Sequence, residues 1–142
     1  MTIEDIARKI AEYGELVEIF APGADSVKWD TLLRTALLLG YQGKLERAGI
    51  AIPFRIEPSM FADSFDAGYT LTLRKGGQIW TSTLFEESVI DLQCESEMIA
   101  TAGGLREVGR LMGAIREITG RRVDLIAETV HPESVIPFMS IG

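Results

Sequence analysis

Residues 69–85, YTLTLRKGGQIWTSTLF, carry two runs of alternating apolar and polar side chains on either side of Gly76-Gly77. A glycine pair accepts the positive φ that a tight primed turn demands, so the stretch predicts a β-hairpin. With a two-residue loop, Leu73 faces Trp80 and Tyr69 faces Leu84. Thr72 then faces Thr81, and Thr70 faces Thr83, on the opposite side. One face is apolar and the other rich in threonine. A sheet with one wet face is normally antiparallel, and that decides the fold class.

Working outward, SVIDLQC (88–94) sets Ile90, Leu92 and Cys94 against Val89, Asp91 and Gln93, and reads as a further strand of the same meander. IAIPFRIEP (50–58) alternates Ile50, Ile52, Phe54 and Ile56, with Pro53 marking an edge strand or a bulge. VDLIAETV (123–130) reads as a strand and SVIPFMSI (134–141) as a last one. Helical spacing appears at 3–13, where Thr2 is the expected N-cap. It appears again in TLLRTALLLGYQ, behind Asp30 as the expected cap, and over 104–119 before Gly120. ELVEIF (15–20) reads either as a continuation of the first helix or as a strand, and FADSFDAG (61–68) as a polar turn. The expected fold is α+β: one domain over residues 1–142, an antiparallel sheet of about five strands, N-terminal helices, and the helix near 104–119 on one face. Strand 88–94, helix 104–119 and strand 123–130 allow one crossover and so a mixed sheet.

The chain has 142 residues, one cysteine (Cys94) and a net charge of −7. No intramolecular disulfide can form, and the charged, amphipathic start lacks the apolar run of a signal peptide. The expectation is a soluble cytoplasmic protein that does not enter the membrane. The negative charge argues against nucleic acid, whose phosphates require a basic face. The charge is uneven: Glu86, Glu87, Asp91, Glu95 and Glu97 fall within twelve residues that hold no Lys or Arg.

TAGGLREVGRLMG (101–113) invites a phosphate-binding reading. The dinucleotide spacing G-x-G-x-x-G is absent. From Gly104 and Gly109 the Walker spacing fits, but Arg110 and Leu111 stand where lysine and a hydroxyl residue are needed. The glycines are therefore read as packing residues beside the apolar face of Leu105, Val108, Leu111, Met112, Ile115 and Ile118. His131 is the sole histidine and sits in a loop beside Pro132. Cys94 has Glu95 and Glu97 close by, which disfavour a thiolate. Asp63 and Asp66 lack calcium-loop spacing. No metal or cofactor is expected, and an enzyme is the less favoured reading.

By exclusion the sequence points to a small acidic protein-binding module that inhibits or escorts a partner protein, in the manner of immunity proteins, phage inhibitors or chaperones. Glu86, Glu87, Asp91, Glu95 and Glu97 would attract a basic partner. Phe61 and Phe65 would anchor it. The alternative is a small enzyme or ligand-binding protein with a pocket between the N-terminal helices and the sheet, using Tyr13, Tyr41, Asp63 and His131. A third reading is a homo-oligomeric structural subunit, and a homodimer is compatible with all three.

Overall fold

The computed structural model describes residues 1–142. Its central feature is one antiparallel sheet of eight strands: β1 (Leu16–Pro22), β2 (Gln42–Arg47), β3 (Ile50–Ile52), β4 (Tyr69–Lys75), β5 (Gln78–Ser82), β6 (Val89–Glu95), β7 (Val123–Ala127) and β8 (Met139–Ile141). The spatial order is β3-β2-β4-β5-β6-β1-β7-β8. The helices are α1 (Ile3–Tyr13), α2 (Ser26–Leu38), α3 (Ser59–Ala67) and α4 (Ala102–Thr119). The α+β class and the antiparallel sheet are as expected, but the strands number eight rather than about five.

The hairpin of β4 and β5 pairs Leu73 with Trp80 and Thr72 with Thr81, as the alternation predicts. The ladder stops at Leu71–Ser82, so the expected pairs Tyr69–Leu84 and Thr70–Thr83 do not form. The reason lies at Leu84, which adopts a left-handed φ of 54° and leaves the strand path. β1 lies between β6 and β7 and is antiparallel to both, so β6 and β7 run parallel to each other. Helix α4 connects them, giving a crossover split by the N-terminal strand.

Alternation sorts the side chains of each strand to two faces. Val17, Ile19 and Ala21, with Ile90, Leu92 and Cys94, Leu71, Leu73 and Trp80, all buried, point to the helix side. There α4 presents Leu105, Val108, Leu111, Met112 and Ile115, while α2 presents Trp29, Leu32 and Leu33. Helices α1 and α2 both pack on α4, which lies over β1, β7 and β8.

Caps fix where these helices start. Thr2 and Asp5 form the reciprocal capping box of α1. Asp25, not Asp30, caps α2, accepting from the Lys28 amide at 2.8 Å. Asp30 instead lies inside the helix, where it pairs with Arg34 and accepts from the Ile56 amide at 2.9 Å, tying down the segment after β3. Residues 61–68, expected as a polar turn, belong to helix α3 and its Gly68 cap, with Met60, Ser64 and Ala67 buried.

Strand β3 ends at Ile52, before Pro53. Extending its register beyond Leu45–Ile52 sets Phe54 level with Gly43 on β2. The Phe54 ring lies on Gly43 so closely that a Cβ there would fall inside it. The aromatic ring supplies the cover that the glycine cannot, a recognised device at sheet edges. Gly43→Ala should therefore displace the ring and cost about 1–2 kcal/mol, close to the cost of Phe54→Ala. Urea unfolding of both single variants and the double variant checks this: the double should cost little more than either single. Additive costs would show that the two residues are independent.

Candidate functional site

The helices cover one face of the sheet and leave the other, the bare face, without helices. At its β1–β7 end Pro132, Glu133 and Val135 line a hollow with Phe20 and Asp124, and Glu18 and Ile126 are only 7% and 1% exposed. The strand registers place the bare-face residues in levels across six strands. One level runs Lys44, Thr72, Thr81, Gln93, Glu18, Ile126. On either side lie Arg74 and Ile79 with Glu95, Leu16 and Glu128, and, past the end of β5, Asp91 with Phe20 and Asp124. Threonines, Arg74 and the ion pair of Lys44 with Glu46, at 3.5 Å, therefore occupy the β2–β5 half. Carboxylates occupy the β6–β1–β7 half; at its far end Arg122 is held by Asp124 at 3.1 Å, and Arg121 lines the same hollow.

Glu18 stands out in the acidic half. It alternates with the core residues Val17 and Ile19 and so points to the bare face, yet it is only 7% exposed. No hydrogen bond or cation lowers its proton affinity. Burial, then the charges of Asp91 and Glu128, push its pKa up to about 7. Asp91 is also raised, mainly by burial, although Ser82 donates to it at 3.4 Å. Beyond Glu95 the face opens into a cleft of about 590 Å³ lined by Tyr13, Gly14, Glu15, Leu16, Glu95, Ser96, Glu97 and Glu128. Burial, followed by Glu15 and Glu128, raises the Tyr13 phenol there. No three of these carboxylates converge closely enough to hold a metal ion.

At the opposite end of the same face, Phe65 of α3 and Phe85 of the β5–β6 connection are 82% and 60% exposed. Their rings meet with centroids 5.8 Å apart. They border a cleft of about 290 Å³ with Ser64, Gly68, Tyr69, Thr70 and Thr83. The outward pose of Phe85 has a local cause. Leu84 is fully buried in a left-handed conformation, which costs an L-residue roughly 1–2 kcal/mol. Its amide donates to Ser82 Oγ at 3.1 Å, and the next residue is turned to solvent. Strained backbone of this kind is concentrated at functional sites.

The sequence-derived site residues are partly dispersed. Seven-residue β6 separates Glu86 and Glu87 from Glu95 and Glu97 by about 20 Å at the usual strand rise. Asp91 lies between the two ends, on the bare face. Glu87 serves the fold: its carboxylate accepts from the Ser26 amide at 3.0 Å, and its carbonyl from Trp29 Nε1 at 3.1 Å. Phe61 turns inward onto Trp29, centroids 5.9 Å apart. Phe65 and Glu86 remain at the surface beside Phe85. Phe85 and Glu18 were missed; a carboxylate between Val17 and Ile19 in a strand was the available signal for Glu18.

The residues named for a pocket chemistry do not meet. Tyr41 is buried and donates to Glu107 Oε2 at 3.2 Å, Asp63 pairs with Arg47 at 3.7 Å, and His131 is exposed near Glu133. The space between helices and sheet is filled by Ile10, Trp29, Leu32 and Leu33. Cys94 is 2% exposed, and burial pushes its thiol up to about 11. At the start of α4, Thr101 Oγ1 accepts from the Gly104 amide at 2.9 Å. A Cβ on Gly104 would meet the Ile99 carbonyl at 2.9 Å, so that glycine serves a tight cap. Gly113 has open space around it and Gly109 only an ordinary contact with Met139, so close packing does not account for either.

No helix is long and apolar enough to cross a membrane. No family model, curated protein or solved structure matches the chain.

Proposed function

We propose that this chain is a protein-binding module, an inhibitor or escort of a partner protein, that docks through the bare face of its sheet. The observation that carries the reading is the exposed Phe65–Phe85 pair beside its cleft, with Phe85 turned outward by the strained, buried Leu84. Exposed aromatics that cluster round a pocket are typical anchors of protein interfaces. Glu86, Asp91, Glu95 and Glu97 add long-range attraction for a basic partner, which speeds encounter more than it tightens the complex. Glu87 and Phe61 contribute to the fold instead.

The test is capture of a partner from native lysate by the tagged chain, with and without Phe65→Ala/Phe85→Ala. Both side chains are largely exposed, so the double variant should keep its melting temperature. Its affinity for the captured partner should fall by about tenfold or more, as for a lost hot spot. A high-salt wash should weaken capture without abolishing it. Unchanged capture by the double variant would remove the aromatic cleft from the interface.

A further inference from the structure

We propose that the acidic half of the bare face, centred on Glu18, is the seat of an arginine side chain supplied by the partner. This rests on the protein-binding reading and gives the partner a chemistry. An acidic surface alone would carry no such assignment, because carboxylates commonly serve only solubility.

Three observations go further. Glu18 is more than nine-tenths buried, yet no side chain of this protein hydrogen-bonds or ion-pairs with it. No side-chain oxygen in the structure is both sealed from solvent and unpaired, so the Glu18 carboxylate keeps an opening to the outside through which a donor from a partner can reach it. The side chain points to the bare face, where the registers flank it with Gln93 and Ile126 laterally and Asp91 and Glu128 diagonally. No lysine or arginine of this chain reaches that group. Leu16 and Phe20 lie above and below Glu18 along β1, so the seat has apolar flanks along the strand and carboxylates on its diagonals.

That combination selects among cations. A single metal ion is excluded by spacing, since no three carboxylates converge on one point. A guanidinium is planar, weakly hydrated and a donor at five positions, so it suits a nearly closed carboxylate with apolar flanks better than a compact ammonium does. Thr83, which lines the aromatic cleft, directly follows Ser82, whose hydroxyl donates to Asp91 at 3.4 Å. The cleft and Glu18 are thus neighbouring parts of one face. A single extended segment carrying an apolar residue and an arginine about four residues apart would reach both, at roughly 3.3 Å per residue.

The experiment titrates the full-length chain with a hexaarginine peptide at pH 8 and low salt, following backbone amide shifts. Saturable shifts are expected in residues 16–20, 89–95 and 123–128, with hexalysine several-fold weaker. Glu18→Gln preserves shape and removes the charge. It should weaken hexaarginine binding at least tenfold while its melting temperature stays the same or rises, so that loss of binding is not loss of fold. Equal binding by Glu18→Gln, or shifts confined to other strands, would overturn the arginine seat. Phe65→Ala/Phe85→Ala separates the two readings. It should leave hexaarginine binding intact while losing the lysate partner. A Glu18-dependent hexaarginine site supports the seat even when no lysate partner is captured. A captured partner whose binding ignores Glu18→Gln leaves the protein-binding reading standing and removes the seat.

Discussion

At pH 8, Glu18→Gln is expected to be more stable than the parent chain by about 3 kcal/mol, and at pH 4 the two should be indistinguishable. The sign follows from proton counting. An unfolded glutamate titrates near its model value of 4.5, whereas burial and the neighbouring Asp91 and Glu128 hold folded Glu18 near 7. Between those values the folded chain keeps a proton that the unfolded chain has lost. Stability therefore falls as pH rises through that window. Each pKa unit corresponds to about 1.4 kcal/mol, so a shift from 4.5 to about 7 gives roughly 3 kcal/mol once both states are ionised. The charged groups facing Glu18 are Asp91 and Glu95 on β6 and Asp124 and Glu128 from β7 and its end. Of these, Asp124 alone has a cation, Arg122. Chemical unfolding at pH 4, 6 and 8 reads the effect. Equal stabilities at pH 8 would mean that water or rearrangement already compensates the buried charge.

Glu107→Ala should act in the opposite direction, costing about 2 kcal/mol at pH 7. Glu107 is also largely buried, but it is fully engaged. Its carboxylate accepts from Lys75 at 3.0 Å, Arg110 at 3.0 Å and the Tyr41 hydroxyl at 3.2 Å. Burial alone would raise its pKa, but the hydrogen bonds from Lys75 and Arg110 outweigh it, and the net shift is downward. Removing the carboxylate leaves the buried Tyr41 hydroxyl without its acceptor and Lys75 with only the Leu39 carbonyl, at 2.6 Å. Breaking a fully buried pair costs roughly 3–5 kcal/mol, and the partial exposure of Lys75 reduces that figure. Because the folded pKa is depressed, this stabilisation is present above the ordinary glutamate range and lost as pH falls through the folded value. The difference between variant and parent should therefore narrow as the pH falls below the ordinary glutamate range, which unfolding at pH 3.5 and 7 tests. A constant difference across that range would mean that the cost is packing rather than charge.

Glu18 and Glu107 also show what the sequence made legible. The alternation in 69–94 was enough to place Leu73 opposite Trp80 and to assign Ile90, Leu92 and Cys94 to one face. Period-two alternation survives any tertiary context in which one face is buried. Strand β2, QGKLER, was missed because only Leu45 of its six residues is buried, leaving no pattern to read. Helix α3 was read as a turn because FADSFDAG is rich in turn-forming residues and its N-terminus has no side-chain cap. The acidic run 86–97 is continuous in sequence but not in space, because a strand carries its two ends apart and turns alternate residues to opposite faces. Phe85 became visible only with the left-handed turn at Leu84. Glu18 acquired its neighbours from strands 70 and more residues away in the chain, a pairing that no local pattern encodes.

The position of β1 between β6 and β7 bears on how the chain is made. Its seven residues leave the ribosome before either neighbouring strand, and three of them, Val17, Ile19 and Ala21, are fully buried in the finished sheet. Their strand partners, 89–95 and 123–127, follow much later in the chain, after α2, β2, β3, α3, β4 and β5. Until they appear this apolar segment has no strand to pair with, and native pairing requires closing long loops, which is slow. An exposed apolar strand in a nascent chain is a site for aggregation or chaperone capture. Yield in cells should thus depend on elongation rate and on holdase supply more than the stability of the finished fold would suggest.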